Sequence, residues 1–271
     1  MIQKLLVTAI VLVVLFLVLF PRRVPQLLRS LGLGVGRTGR LGREFATGVE
    51  ETNSPLAKAE AQAGEIVLAR MLSERPPCDD PDLQAAVAEL GRRLCEHVVR
   101  HEIDYRFIAV ESDEPNAYAV PGGAILITRG LVHLCGGDLD LIAGVLAHEV
   151  QHIDRRHCLN QLAASTAART SSRFLRLGGG LLGSTVTQAL EKLLVEGYRQ
   201  DQETEADLEG AELAARSGYD RRGLERLLTL LERPSADGQG PLWARLDYFQ
   251  GHPPIAERIA RLRRRHGDSA P

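Results

Sequence analysis

The chain has 271 residues, 44% of them hydrophobic and 25% charged, which is material for one sizeable core or for one domain with attachments. A formal net charge of −2 and a pI near 6.5 give no reason to invoke nucleic acid, and the composition is that of a globular protein rather than a disordered one. Cys78, Cys95, Cys135 and Cys158 are scattered without a C-x-x-C pair and read as small buried apolar residues rather than a metal cluster, with one or two disulfides left open.

Charge is unevenly placed: Met1 to Arg43 is strongly basic, and the remainder compensates with acid, so the two ends face different surroundings. Leu5 to Phe20 is an apolar run broken only by Thr8. At ~1.5 Å per residue it spans about 24 Å, short for a bilayer but workable with flanking residues and local thinning. It reads either as an uncleaved anchor or as a cleaved signal peptide. Phe20-Pro21-Arg22-Arg23 offers no small-residue cleavage site, which favours the anchor. Arg22, Arg23, Arg29, Arg37, Arg40 and Arg43 follow the run, whereas only Lys4 and the amino terminus precede it. The positive-inside bias therefore puts the C-terminal part in the cytoplasm of a single-pass inner or plasma membrane protein, with the periplasm as the alternative.

From Pro25 to Val49, apolar residues recur at near-helical spacing between arginines, the pattern of a helix lying on a membrane surface. Glycines 32, 34, 36, 39 and 42 also fit a flexible basic linker. A short anchor, Phe20-Pro21-Arg22-Arg23, Pro25, Leu28, Arg29-Ser30-Leu31-Gly32 and then Phe45 resemble the TatA-type subunits of the twin-arginine translocase, and the resemblance implies an outside N-terminus with the next helix on the cytoplasmic surface. Residues 1–23 are thus expected to form an anchor, residues 24–53 a basic amphipathic or linker segment, and residues 54–271 the main domain.

Helical patterns run from Pro55 to Glu74 and from Pro81 to His101, separated by the breaker Pro76-Pro77-Cys78-Asp79-Asp80-Pro81. Tyr105 to Val110 and Ala124 to Thr128 are short β-rich runs, so the expected class is α+β, mostly helical, with a small sheet before the next helix. Between them Asn116, Ala117, Tyr118, Ala119, Val120, Pro121, Gly122 and Gly123 fit an edge strand and turn. Such an edge can bind an extended peptide or be a plain strand and turn. Gly178 to Ser184 reads as a loop, followed by mostly helical sequence from Thr185 to Ser217.

The stretch 138–160 combines an apolar helical stripe, Leu141, Val145, Leu146 and Val150, with His148, Glu149 and His152 in an H-E-x-x-H pattern and Asp138 as its N-cap. At ~100° per residue, positions i and i+4 share a helical face, so both imidazoles can reach one ion while Glu149 flanks it. Catalytic zinc takes three protein ligands and keeps one position open, which calls for a third donor. In Glu203-x-x-Ala206-Asp207 the two carboxylates share a face, so Glu203 can bind Zn2+ while Asp207 orients a ligand histidine, and Glu205 points elsewhere. Zinc chemistry of this kind hydrolyses peptide bonds by activating water, with Glu149 as the catalytic base.

These residues resemble the HtpX-like, CAAX-prenyl-protease-like and BepA-type zinc metallopeptidases, a likeness running from about Pro55 to Arg265. It rests on Asn116 to Gly123 with Thr128-Arg129-Gly130-Leu131, on His148-Glu149-x-x-His152 with Arg156-His157, on Glu203-x-x-Ala206-Asp207 and Gly218-Tyr219-Asp220, and on His252-Pro253-Pro254 with Glu257-Arg258-Ile259. Gln151 departs from the small residue common before the second histidine, and the several membrane spans of HtpX are missing. The resemblance implies a zincin-like fold, a polypeptide substrate and His252 as a stabiliser of the oxyanion, and the Asn116 to Gly123 edge is the candidate place for that substrate. His252 reads equally as a histidine packed before the last helix. The function expected is a membrane-anchored zinc endopeptidase acting on unfolded or membrane-associated polypeptides. The alternative is a non-cleaving, chaperone-like peptide binder linked to protein translocation.

Overall fold

The computed structural model describes residues 55–158, 160, 197–233 and 254–267. The elements in chain order are α1 (Pro55–Glu74), α2 (Pro81–Cys95), β1 (Arg106–Val110), β2 (Ala117–Val120), β3 (Ala124–Thr128), α3 (Arg129–Leu134), α4 (Leu139–Asp154), α5 (Gln200–Arg216), α6 (Gly223–Leu231) and α7 (Ile255–His266). The expected α+β class, mostly helical with a small sheet, is what forms. The expected anchor, basic segment, glycine-rich loop and His252 lie outside the described residues. Among the described residues no helix is long and apolar enough to cross a membrane.

The sheet has the order β1-β3-β2, with β1 parallel and β2 antiparallel to the central β3. β2 and β3 form a hairpin around Pro121-Gly122-Gly123. Gly122 and Gly123 take φ of +86° and +116°, a left-handed turn that a side chain would strain. Alternation along the strands divides the core. Ala109, Ala117, Ala119, Ile125 and Ile127 pack with α2 and α4, while Val110, Val120, Ala124 and Leu126 pack with Ala63, Val67, Leu68 and Met71 of α1.

The outer edge of β1 is capped, since Ala109 O accepts from Cys78 N (2.9 Å) and from Gln84 Nε2 (2.8 Å), and Ala109 N donates to Gln84 Oε1 (3.0 Å). β2 is the opposite edge of the sheet, as its Pro and glycines predicted. Its N-terminal end is clamped by Thr128, whose hydroxyl accepts from Asn116 N (2.8 Å) and donates to Asn116 O (3.0 Å).

α4 is the central helix, with Leu141, Val145, Leu146 and Val150 all buried and α2, α5, α6, β2 and β3 packed around it. Its start is fixed as expected: Asp138 caps it by accepting from Asp140 N (3.0 Å) and Leu141 N (3.4 Å). Asp140 Oδ1 accepts from Asp220 N (2.9 Å), so Gly218-Tyr219-Asp220 serves as the tie between the α5–α6 turn and the head of α4.

One helix boundary differs from the sequence reading. α2 stops at Cys95 rather than continuing to His101, because the next residues are drawn into tertiary contacts. Val99 N and Arg100 N both donate to the Asp154 carboxylate, at 2.9 and 2.7 Å, and the buried Arg100 guanidinium pairs with Glu60 at 2.9 Å. An α-helix would direct those amides back along its own axis, so long-range bonding overrides local propensity.

Candidate metal centre

α4 carries His148 and His152 one turn apart, and α5 packs against it with Glu203 opposite them. The close approach depends on Gly210, where an added Cβ would lie 3.0 Å from both the N and Cα of His148. A side chain there would hold the two helices apart at the level of the first histidine. All three chemistry-bearing side chains are buried, at 0%, 1% and 0% exposure for His148, His152 and Glu203.

The two Nε2 atoms stand 3.1 Å apart, Glu203 Oε2 is 3.6 Å from His148 Nε2, and Glu203 Oε1 is 3.5 Å from His152 Nε2. Donors arranged tetrahedrally at 2.0–2.2 Å from one ion would lie roughly 3.3–3.6 Å from one another. The Nε2–Nε2 separation, and the distance from each imidazole to one oxygen of Glu203 (Oε2 for His148, Oε1 for His152), come within a few tenths of an ångström of that figure, and burying a carboxylate between two imidazoles favours a cation among them. The donor set therefore fits zinc: two imidazole nitrogens and one carboxylate, all from rigid helices. Glu149, the neighbour of His148, is 3% exposed on the same helix.

Asp207 sits one turn after Glu203, and its Oδ1 lies 3.0 Å from His148 Nδ1. Arg258 of α7 grips the same carboxylate, donating from Nε at 2.9 Å and Nη2 at 2.6 Å, with both side chains 1% exposed. Burial opposes the charge on Asp207, but Arg258 and His148 outweigh it and hold the carboxyl well below the usual range. Burial likewise pushes His148 down, yet its bond to Asp207 and the nearby Glu203 raise it above an ordinary imidazole. The result is a chain Arg258–Asp207–His148 that presents Nε2 of His148 towards Glu203.

His152 is held differently. Its Nδ1 lies 3.0 Å from His157 Nδ1, and Tyr198 stacks on its ring with centroids 3.8 Å apart and planes 12° from parallel. Glu205, placed on another face by the sequence reading, does not join the His148–His152–Glu203 cluster, but its Oε2 lies 3.3 Å from His157 Nε2.

The structure thus brings His148, His152, Glu203 and Asp207 together, with Glu149 buried at the position after His148 on α4; α5 supplies both acids. Asn116 to Gly123 form the edge strand and its turn, packed on α4 through β2. His252 lies outside the described residues. Arg258, Tyr198 and the contact of His157 were not identified as parts of the site from sequence. Arg258 left a signal, because it occupies a core position in the α7 stripe of Ile255, Ile259 and Leu262. A charge at such a position requires a buried partner. Tyr198 left none.

The profile of the family described as "Peptidase family M48" matches residues 81–266. The chain is 26% identical over 223 residues to the beta-barrel assembly-enhancing protease of Escherichia coli (strain K12), covering 78% of this chain and 45% of that protein. It is 27% identical over 176 residues to the mitochondrial metalloendopeptidase OMA1 of Schizosaccharomyces pombe, covering 65% of this chain and 51% of that protein. Against the protease HtpX homolog of Salinibacter ruber the identity is 32% over 185 residues, covering 56% of this chain and 65% of the relative. The chain spans about half the length of the first two of these relatives.

Proposed function

The chain belongs to peptidase family M48, and from that premise we propose that it is a zinc-dependent endopeptidase, held at a membrane by residues 1–23, that hydrolyses unfolded or membrane-associated polypeptides. The observation that carries this reading is the buried His148–His152–Glu203 cluster with Glu149 adjacent, at separations that suit one tetrahedral ion. Zinc bound there would supply a Lewis acid that polarises the scissile carbonyl and eases ionisation of water. Glu149 then takes a proton from the attacking water and gives it to the leaving amine. Asp207 and Arg258 keep His148 in one tautomer and orientation, and the dry surroundings strengthen each of these contacts.

The substrate site in this reading is the edge of β2. Three of its four side chains are committed to the core, with Ala117 at 2%, Ala119 at 3% and Val120 at 0% exposure, and Tyr118 is half-buried beneath Arg75. A bound peptide would therefore be read by main-chain hydrogen bonds along Asn116 to Gly123 rather than by side-chain pockets, which suits extended polypeptides of varied sequence. The names of two relatives, a beta-barrel assembly-enhancing protease and a mitochondrial metalloendopeptidase, agree with a proteolytic role.

The test is casein cleavage by the purified chain before and after Glu149→Gln. Cleavage should fall by at least about a hundredfold, the scale of general-base catalysis, while bound zinc stays stoichiometric. Undiminished cleavage in the variant would refute the role of Glu149. No cleavage by the zinc-loaded wild type would favour the non-cleaving peptide binder instead. Orientation is proposed from the arginines between Arg22 and Arg43, which put the catalytic part in the cytoplasm. Protease added to intact spheroplasts should then leave that part undigested until the membrane is broken, and digestion without breakage would reverse the assignment.

A further inference from the structure

Resting on the metal centre proposed above, the geometry points to His157 as the positioning residue of His152, with Glu205 as the outer member of the same chain. In the sequence, Arg156-His157 is only a dipeptide following the H-E-x-x-H helix. In the fold, α4 ends at Asp154 and Arg156 takes φ of 57°, among the described residues the one non-glycine at positive φ. That left-handed residue turns the chain back on itself. His157, 2% exposed, then lies with Nδ1 3.0 Å from Nδ1 of His152. Its carbonyl is pinned from α5, the helix that carries Glu203, by a bond from Gln202 Nε2 (3.1 Å).

The tautomers follow from which nitrogen faces the site. His152 presents Nε2 to His148 and Glu203, so a metal-binding, neutral His152 carries its proton on Nδ1. His157 Nδ1 lies at hydrogen-bond distance from that nitrogen and accepts the proton, which puts the proton of His157 on Nε2, 3.3 Å from Glu205 Oε2. Each donation fixes the next, His152 to His157 to Glu205. Tyr198, stacked flat on His152, confines the ring to its plane but does not decide which edge points inward. The bond to His157 decides it. The two ligand histidines are thus held by unlike devices: a carboxylate backed by a buried arginine for His148, and a neutral imidazole backed by a half-exposed carboxylate for His152.

The experiment is zinc affinity of the full chain, measured by competition with a chromophoric chelator, in wild type, His157→Leu, His157→Asn and Glu205→Ala, with the visible spectrum of the cobalt-substituted protein as a second readout. His157→Leu should weaken zinc binding about 10–100-fold, the scale for losing an outer partner of a ligand histidine. His157→Asn, whose Oδ1 can stand where Nδ1 stood and accept the same hydrogen, should stay within about threefold of wild type and keep its cobalt spectrum. A packing role alone would make Asn at least as damaging as Leu. Equal affinity in wild type and His157→Leu, or a loss in Asn as large as that in Leu, would overturn the proposal. Should His157→Leu fail to fold, Glu205→Ala removes a side chain that is 48% exposed and serves in its place. A measurable loss of affinity with an altered cobalt spectrum supports the chain, and wild-type behaviour in both readouts overturns it. A wild-type chain that binds no zinc at all would overturn the metal reading itself, an outcome distinct from any difference among the variants.

Discussion

Arg258→Met tests how the last helix supports the site. Arg258 and Asp207 are each 1% exposed and joined by two bonds of 2.9 and 2.6 Å, so deleting the guanidinium leaves a carboxylate charge in the core. Breaking one side of such a pair costs about 3–5 kcal/mol, because the remaining charge keeps its desolvation penalty and loses the stronger of its two named partners, with His148 Nδ1 at 3.0 Å left beside it. For a domain of roughly 150–250 residues, each kcal/mol moves the melting temperature about 2–4 °C, which gives a fall of about 6–20 °C. The assay is thermal unfolding followed by circular dichroism in excess chelator, so that metal binding does not add its own stabilisation. Arg258→Met with Asp207→Asn should recover at least half of the loss, since the second change removes the stranded charge. A cost below about 1 kcal/mol for Arg258→Met, or no recovery in the double variant, would refute the reasoning.

Three further outcomes follow from the same contacts. Glu203→Ala should abolish stoichiometric zinc in the purified chain, measured by atomic emission, because the remaining pair of histidines lacks the third donor of a catalytic site. Gly210→Ala should destabilise the metal-free protein by about 1–3 kcal/mol and weaken zinc binding, because its Cβ meets the backbone of His148 at 3.0 Å, a contact no rotamer change relieves. Burial pushes the thiols of Cys95 and Cys135 up to about 12. The sign is that of a raised folded-state value: the neutral thiols cost nothing below pH 8.5, the unfolded chain ionises above it while the folded chain does not, and stability falls as pH rises from about 8.5 towards 12. Denaturant titrations at pH 7.5 and 9.5 should show that fall, and it should shrink in Cys95→Ala/Cys135→Ala, the remainder coming from Cys78 and Cys158, which burial raises too; an undiminished fall in that variant would contradict the assignment.

Much of the site was legible because it is local. His148 and His152 reveal themselves by helical spacing, Glu203 and Asp207 by the same rule on a second helix, and Asp138 by its place before an apolar stripe. β1 and β3 follow from short β-rich runs, and the edge position of β2 from Pro121 and its glycines. What was not legible depends on contacts between residues far apart in the chain. The end of α2 at Cys95 is set by Asp154, more than fifty positions on, and Arg258 meets Asp207 across a similar distance. His157 and Tyr198 meet at His152 only because α4 turns back at Arg156 and α5 begins beside it. Spacing rules name candidate ligands, whereas the partners that orient them come from packing.

The central claim is that one zinc ion is held by His148, His152 and Glu203, and the most direct measurement is an anomalous difference map recorded on either side of the zinc absorption edge from crystals of the purified chain. A single peak is predicted at about 2.0–2.1 Å from Nε2 of His148 and of His152 and about 2.0–2.2 Å from a carboxylate oxygen of Glu203. A peak on other residues, or zinc-loaded crystals with no peak between α4 and α5, would contradict it.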